Sequence, residues 1–157
     1  MADNADASLA LRAQIQAFVR GFGLLDDSTT PCGKPLALSH AHALSVLFER
    51  SLRGERTCHK DLTAALGLDK SNVARLCARM VEAGHVTQER SADDGRAREV
   101  ALTSKGQKVA REVDSASRQR FERVLKAMPA GERKRVLQAL QVLNQAVEAV
   151  GKGGEAR

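Results

Sequence analysis

Leu11, Ile15, Phe18, Phe22 and Leu25 recur at alternating steps of four and three, the apolar seam of an amphipathic helix that packs against other helices. The following stretch, DDSTTPCGKPLAL from Asp26 to Leu38, is rich in proline, glycine and small polar residues and reads as a loop, with Ser39 as an N-cap at its end. A second helix is expected from His40 to about Leu52, turning Leu44, Leu47 and Phe48 inward. Thr57 is the candidate cap of a short third helix in which Leu62, Ala65 and Leu66 share one face before Gly67 stops it. Asp69 offers another cap almost at once, and Val73, Leu76, Cys77 and Met80 then form an inward stripe that runs up to Gly84. Two short helices parted by a glycine-containing turn are the signature of a helix-turn-helix.

Two short alternating segments follow, HVTQER (His85 to Arg90) and REVAL (Arg98 to Leu102), separated by SADDG, whose Asp94-Gly95 pair signals a hairpin. A hairpin directly behind a helix-turn-helix is a wing. Thr103 caps a long fifth helix carrying Ala110, Val113, Ser117, Phe121, Val124 and Met128 on one side until Pro129 and Gly131 break it. The last helix is expected from about Glu132 to Val150, with Val136, Leu140, Leu143, Val147 and Val150 aligned and GKGGEAR frayed behind it. The expected fold is therefore mainly α with a small β wing, a winged helix-turn-helix plus a helical dimerisation region. It divides into N-terminal helices over residues 8–52, a DNA-binding domain over 53–103 and dimerisation helices over 104–150.

A helix laid in the major groove needs an apolar side to anchor it and hydrogen-bonding side chains opposite. Lys70, Ser71, Asn72, Arg75 and Arg79 lie opposite Val73, Leu76 and Met80, and Asn72 and Arg75 are the best candidates for reading bases. On the hairpin, Arg96 is suited to a narrow minor groove, while Asp94 is placed to pair with Arg96 or Arg98 and stiffen the tip.

Composition sharpens this picture without replacing it. The 157 residues include neither Trp nor Tyr and only four Phe, so the core must be aliphatic. The net charge of +6 is compatible with nucleic acid, yet it divides as 0, +1 and +5 over residues 1–54, 55–105 and 106–157, so gross charge does not locate the DNA-binding surface. No apolar run approaches the ~20 residues of a membrane span and the acidic N-terminus lacks a signal-peptide core, so a cytoplasmic protein is expected. Cys32, Cys58 and Cys77 show no CxxC spacing, and His40 and His42 diverge on their helix; no metal site and no cofactor are expected. Cys58 is the one redox candidate, being close to a helix start and beside His59 and Lys60. Cys58 and His59 are sequential neighbours whose side chains diverge, and no catalytic constellation is seen elsewhere, which argues against an enzyme.

The stretch from Leu62 to Gly106, above all the D-x-R-x5-L-T-x2-G run of Asp94, Arg96, Leu102, Thr103 and Gly106, resembles the multiple antibiotic resistance regulator (MarR) family. The order of helices on both sides agrees, extending the resemblance to about residues 8–150. The resemblance implies an effector-responsive repressor, a homodimer joined through its first, fifth and sixth helices and bound to a pseudo-palindromic operator in double-stranded DNA. Carried over by position, Ser71, Asn72 and Arg75 face the major groove, Arg96 the minor groove, and Asp94 holds the wing. Asn72 stands where many relatives have threonine, so an operator preference does not transfer. The resemblance also implies a cleft for a small aromatic or anionic effector, with Phe18, Phe22, His40, Leu44 and Phe48 as lining candidates. The competing readings are a winged-helix protein-interaction module, using the Lys70 to Arg79 face for an acidic partner, and a thiol-based redox regulator acting through Cys58.

Overall fold

The structure, a computed structural model, describes residues 2–91 and 97–154. Among the described residues are six helices and a two-stranded sheet: α1 (Ala2–Phe22), α2 (Leu38–Leu52), α3 (His59–Leu66), α4 (Lys70–Glu82), β1 (Val86–Arg90), β2 (Arg98–Leu102), α5 (Ser104–Ala127) and α6 (Arg133–Gly154). The strands are antiparallel, with Val86 opposite Leu102 and Arg90 opposite Arg98. This is the mainly α, winged helix-turn-helix fold class that the pattern of apolar positions predicts. Among the described residues, no helix is long and apolar enough to cross a membrane. The chain forms two compact units that part within α5, residues 1–117 and 118–157.

In the first unit the core is aliphatic. Leu44, Leu62, Val73, Leu76 and Met80 have no more than 1% of their surface exposed, and Val86, Val100 and Ala110 close the cluster from the hairpin and α5. The inward stripe of α4 is the one read from sequence, because four apolar side chains at helical spacing can be buried on one side only. The buried side of α2 joins the same cluster, so this helix supports the winged helix directly.

Several boundaries move. α1 ends at Phe22 because the next residue, Gly23, adopts a φ of +80°, which leaves Leu25 outside the helix. α2 starts one residue before the expected Ser39 cap, with Ala37 in the capping position and no side-chain cap. The cap of α3 is Cys58 rather than Thr57. Thr57 is buried instead, accepting a hydrogen bond from Arg50 Nε at 2.9 Å, and its backbone carbonyl accepts from the Val100 amide. In α3, Leu62 is buried and Leu66 half-buried, but Ala65 is exposed. α6 runs on to Gly154, past the expected fraying point.

In the second unit, Leu137, Leu140, Val147 and Val150 of α6 are exposed, as is Phe121 of α5. Leu9, Leu11, Ile15 and Phe18 are likewise exposed along α1 in the first unit.

Candidate nucleic-acid interface

α4 is fixed at both ends by local chemistry. At its start the Asp69 carboxylate accepts from the Asn72 amide at 2.7 Å and from the Ser71 hydroxyl at 2.7 Å. Those bonds, the Ser71 hydroxyl first and then the Asn72 amide, hold the Asp69 carboxyl below its ordinary pKa. The charge is thus turned toward its own helix start, where the helix dipole favours an anion. Replacing Asp69 with alanine is expected to lower stability through loss of the capping side chain, measurable as a lower urea midpoint at neutral pH. At the other end the chain turns through Gly84, whose φ of +72° suits glycine, and the Gly84 and His85 amides donate to the carbonyls of Val81 and Met80.

With Val73, Leu76, Cys77 and Met80 buried, α4 presents Lys70, Ser71, Asn72, Ala74, Arg75, Ala78 and Arg79 to solvent. Depressions flank this ridge. One, of about 650 Å³, lies between α4 and the hairpin and is lined in part by Lys60, Lys70, Ala74, Ala78, Gln88 and Arg98. The other, of about 380 Å³, lies between α4 and the start of α2, where Ser39, Asn72, Arg75 and Arg79 meet. Cations therefore border both sides of a helix that also exposes the small side chains of Ser71, Ala74 and Ala78, an arrangement that suits the approach of a polyanion. The strand register adds another feature: Arg90 and Arg98, both exposed, stand directly opposite each other. Like charges in that position destabilise a hairpin on its own and are relieved by an anionic partner.

The hairpin is seated by Thr103. Its hydroxyl donates to the Gly84 carbonyl at 2.7 Å and accepts from the Gly106 amide at 3.0 Å, capping α5 as the sequence predicts while joining the end of α4 to the start of α5. Gly106 passes so close to His85 that a Cβ there would fall 2.8 Å from the His85 carbonyl carbon and nearer still to its oxygen.

With helix-turn-helix, hairpin and this junction described, residues 42–97 match the sequence model of the MarR family. Over this span the chain is similar to the MarR family. Solved structures agree on the fold. The MepR–DNA complex of S. aureus aligns with a TM-score of 0.65 at 14% identity, covering 94% of this chain and 98% of that one. The adhesin competence repressor AdcR of Streptococcus pyogenes gives 0.62 at 18% identity, with 90% and 97% covered. The haem sensor PefR of Streptococcus agalactiae, in complex with haem, gives 0.55 at 16% identity, with 92% and 90% covered.

Asp94 and Arg96 lie outside the described residues. The five effector-cleft candidates are distributed as follows. Phe18 and Phe22 stack on each other along α1 with ring centroids 5.0 Å apart. Leu44 is fully buried in the core, and Phe48 lies beneath the Arg111 guanidinium at 6.0 Å. His40 is buried, and its Nε2 sits 2.9 Å from Nδ1 of His85. Cys58 is half-buried at the start of α3, where its backbone amide donates to Asp61 at 2.8 Å.

Sequence reasoning missed Lys60 and Arg90 as candidate interface cations and His85 as a partner of His40. Arg90 was accessible from the register, because pairing Val86 with Leu102 forces Arg90 opposite Arg98. The His40–His85 contact joins residues 45 apart in the chain, and no local pattern encodes it.

Proposed function

We propose that this chain is a sequence-specific DNA-binding transcriptional regulator, an effector-responsive repressor that binds a pseudo-palindromic operator as a homodimer. One observation carries the reading: a helix pinned at both ends exposes a polar face bordered by cations, beside a hairpin that sets two arginines against each other. Lys70, Ser71, Asn72, Arg75 and Arg79 belong in the major groove on this reading, Arg98 and Arg96 also contact DNA, with Arg96 toward the minor groove, and Asp94 is assigned to stabilising the wing. The dimer is supported by apolar side chains left in solvent at helical spacing, including Leu11, Ile15 and Phe18 on α1 and Leu140, Val147 and Val150 on α6. The repressor role has the example of AdcR, and an effector that of haem-bound PefR. For the effector we propose the region of Phe18, Phe22, His40 and Phe48, with Leu44 contributing packing behind them.

Selection of bound duplexes from a random pool tests the reading. The expected product is a two-fold symmetric motif with half-sites about 34–36 Å apart, preferred over random DNA by roughly 10³ or more. An asymmetric motif bound by a monomer, or no enrichment, would overturn it.

A further inference from the structure

An asparagine that reads adenine must offer its carbonyl oxygen to N6 and its amide to N7 at once. Asn72 has both groups engaged within the protein. Its Oδ1 accepts from Arg75 Nη2 at 2.7 Å, and its Nδ2 donates to Oδ2 of Asp69, whose Oδ1 already takes the Asn72 backbone amide. Each of these side-chain bonds has a charged partner, so each is stronger than a bond between neutral groups, and turning Asn72 outward would break two of them together. Among the described residues Arg75 commits one N–H, to Asn72, and keeps the rest of its guanidinium fork, the shape that matches O6 and N7 of guanine. The arrangement fixes the fork from behind: the carboxylate that caps the helix holds the amide, and the amide holds the guanidinium.

We propose that Asn72 is a positioning residue, backed by Asp69, that aims Arg75 at a single guanine in each half-site, and that Arg75 alone does the base reading on this face. The proposal rests on the DNA-binding reading above and assigns Asn72 and Arg75 unequal parts within it. Neither residue is buried, so both can be changed without disturbing the core.

The test measures affinity of the wild type, Asn72→Ala, Arg75→Ala and the double variant for the selected operator and for every single-base change in one half-site. Asp69→Ser, which retains a capping hydroxyl but not the carboxylate, is measured alongside. Arg75→Ala should erase discrimination at one G·C pair, a loss of roughly tenfold to a hundredfold. Asn72→Ala and Asp69→Ser should weaken discrimination at that same pair by a smaller factor and leave other positions unchanged, and the double variant should be no worse than Arg75→Ala. If Asn72→Ala relaxes a different position, above all an A·T pair, and its effect multiplies with that of Arg75→Ala, Asn72 reads a base directly and the proposal fails. Equal weakening on all sequences, with discrimination intact, would mean a merely structural Asn72 and would also overturn it. A wild type that enriches no DNA at all would instead bring down the parent reading.

Discussion

Gly106→Ala lowers the stability of the protein by about 3 kcal/mol or more, because the added methyl meets backbone rather than a side chain able to rotate away. At Gly106 a Cβ would lie 2.8 Å from the carbonyl carbon of His85, closer than real Cβ atoms come to their neighbours. That carbonyl cannot simply withdraw, since it accepts from the Thr103 amide, and the residue's own amide donates to Met80. Relief requires α5 to lift from the base of the hairpin, which would also stretch the 3.0 Å bond from the Gly106 amide to the Thr103 hydroxyl. For a chain of this size the loss corresponds to a fall in thermal midpoint of roughly 10 °C, to be read by calorimetry at one fixed protein concentration. Gly131→Ala is the control, as nothing lies within 4 Å of a Cβ built there. Equal midpoints for the two variants would refute the close-packing account.

Acid weakens the fold between about pH 6.5 and pH 4 through the buried histidine pair. Burial, then the neighbouring His85 and Arg79, push His40 from 6.5 to about 4. Burial first, and then Lys105, also lower His85. The sign follows from linkage: a histidine whose pKa is depressed by folding takes up its proton more readily when unfolded. Its contribution is therefore complete above pH 6.5 and is lost as pH falls toward the folded value. For His40 the full loss is at most about 3 kcal/mol. Geometry adds to the effect, since the Nε2–Nδ1 bond needs one lone pair and two fully protonated rings have none to share. Asp61 and Asp69, both lowered from 3.8, lose their contributions only at more acidic pH and do not confuse the window. Urea midpoints from pH 7.5 to 4.5 should fall for the wild type and vary less for His40→Gln, which can still donate to His85. Parallel curves for the two proteins would rule out the pair as the cause.

The elements of this fold were legible wherever a local rule had no competitor. Asp69 has no buried partner to attract it, so its capping preference decides its position. Four apolar residues at helical spacing leave α4 one way to face, and the alternation of HVTQER and REVAL leaves the hairpin one pairing. Thr57 failed as a cap because Arg50, seven residues earlier, claims its hydroxyl from a neighbouring helix, a contact that no capping rule anticipates. Gly106 was visible as a motif position, but its reason, a backbone crossing against His85, exists only in three dimensions. The candidate interface was legible as a set of residues, whereas the division of labour proposed within it was not. Asn72 and Arg75 looked equivalent in sequence, and only their hydrogen bonds separate the one whose amide and carbonyl are both engaged from the one that keeps most of its fork.

The clamping of α4 between the Asp69 carboxylate and the Gly84 turn has a consequence for the energetics of recognition. A segment held this way has already surrendered most of its conformational entropy during folding, so little ordering is left to oppose association. On the proposed DNA-binding reading, differences among target sequences then register chiefly as differences in residence time, with encounter rates nearly alike.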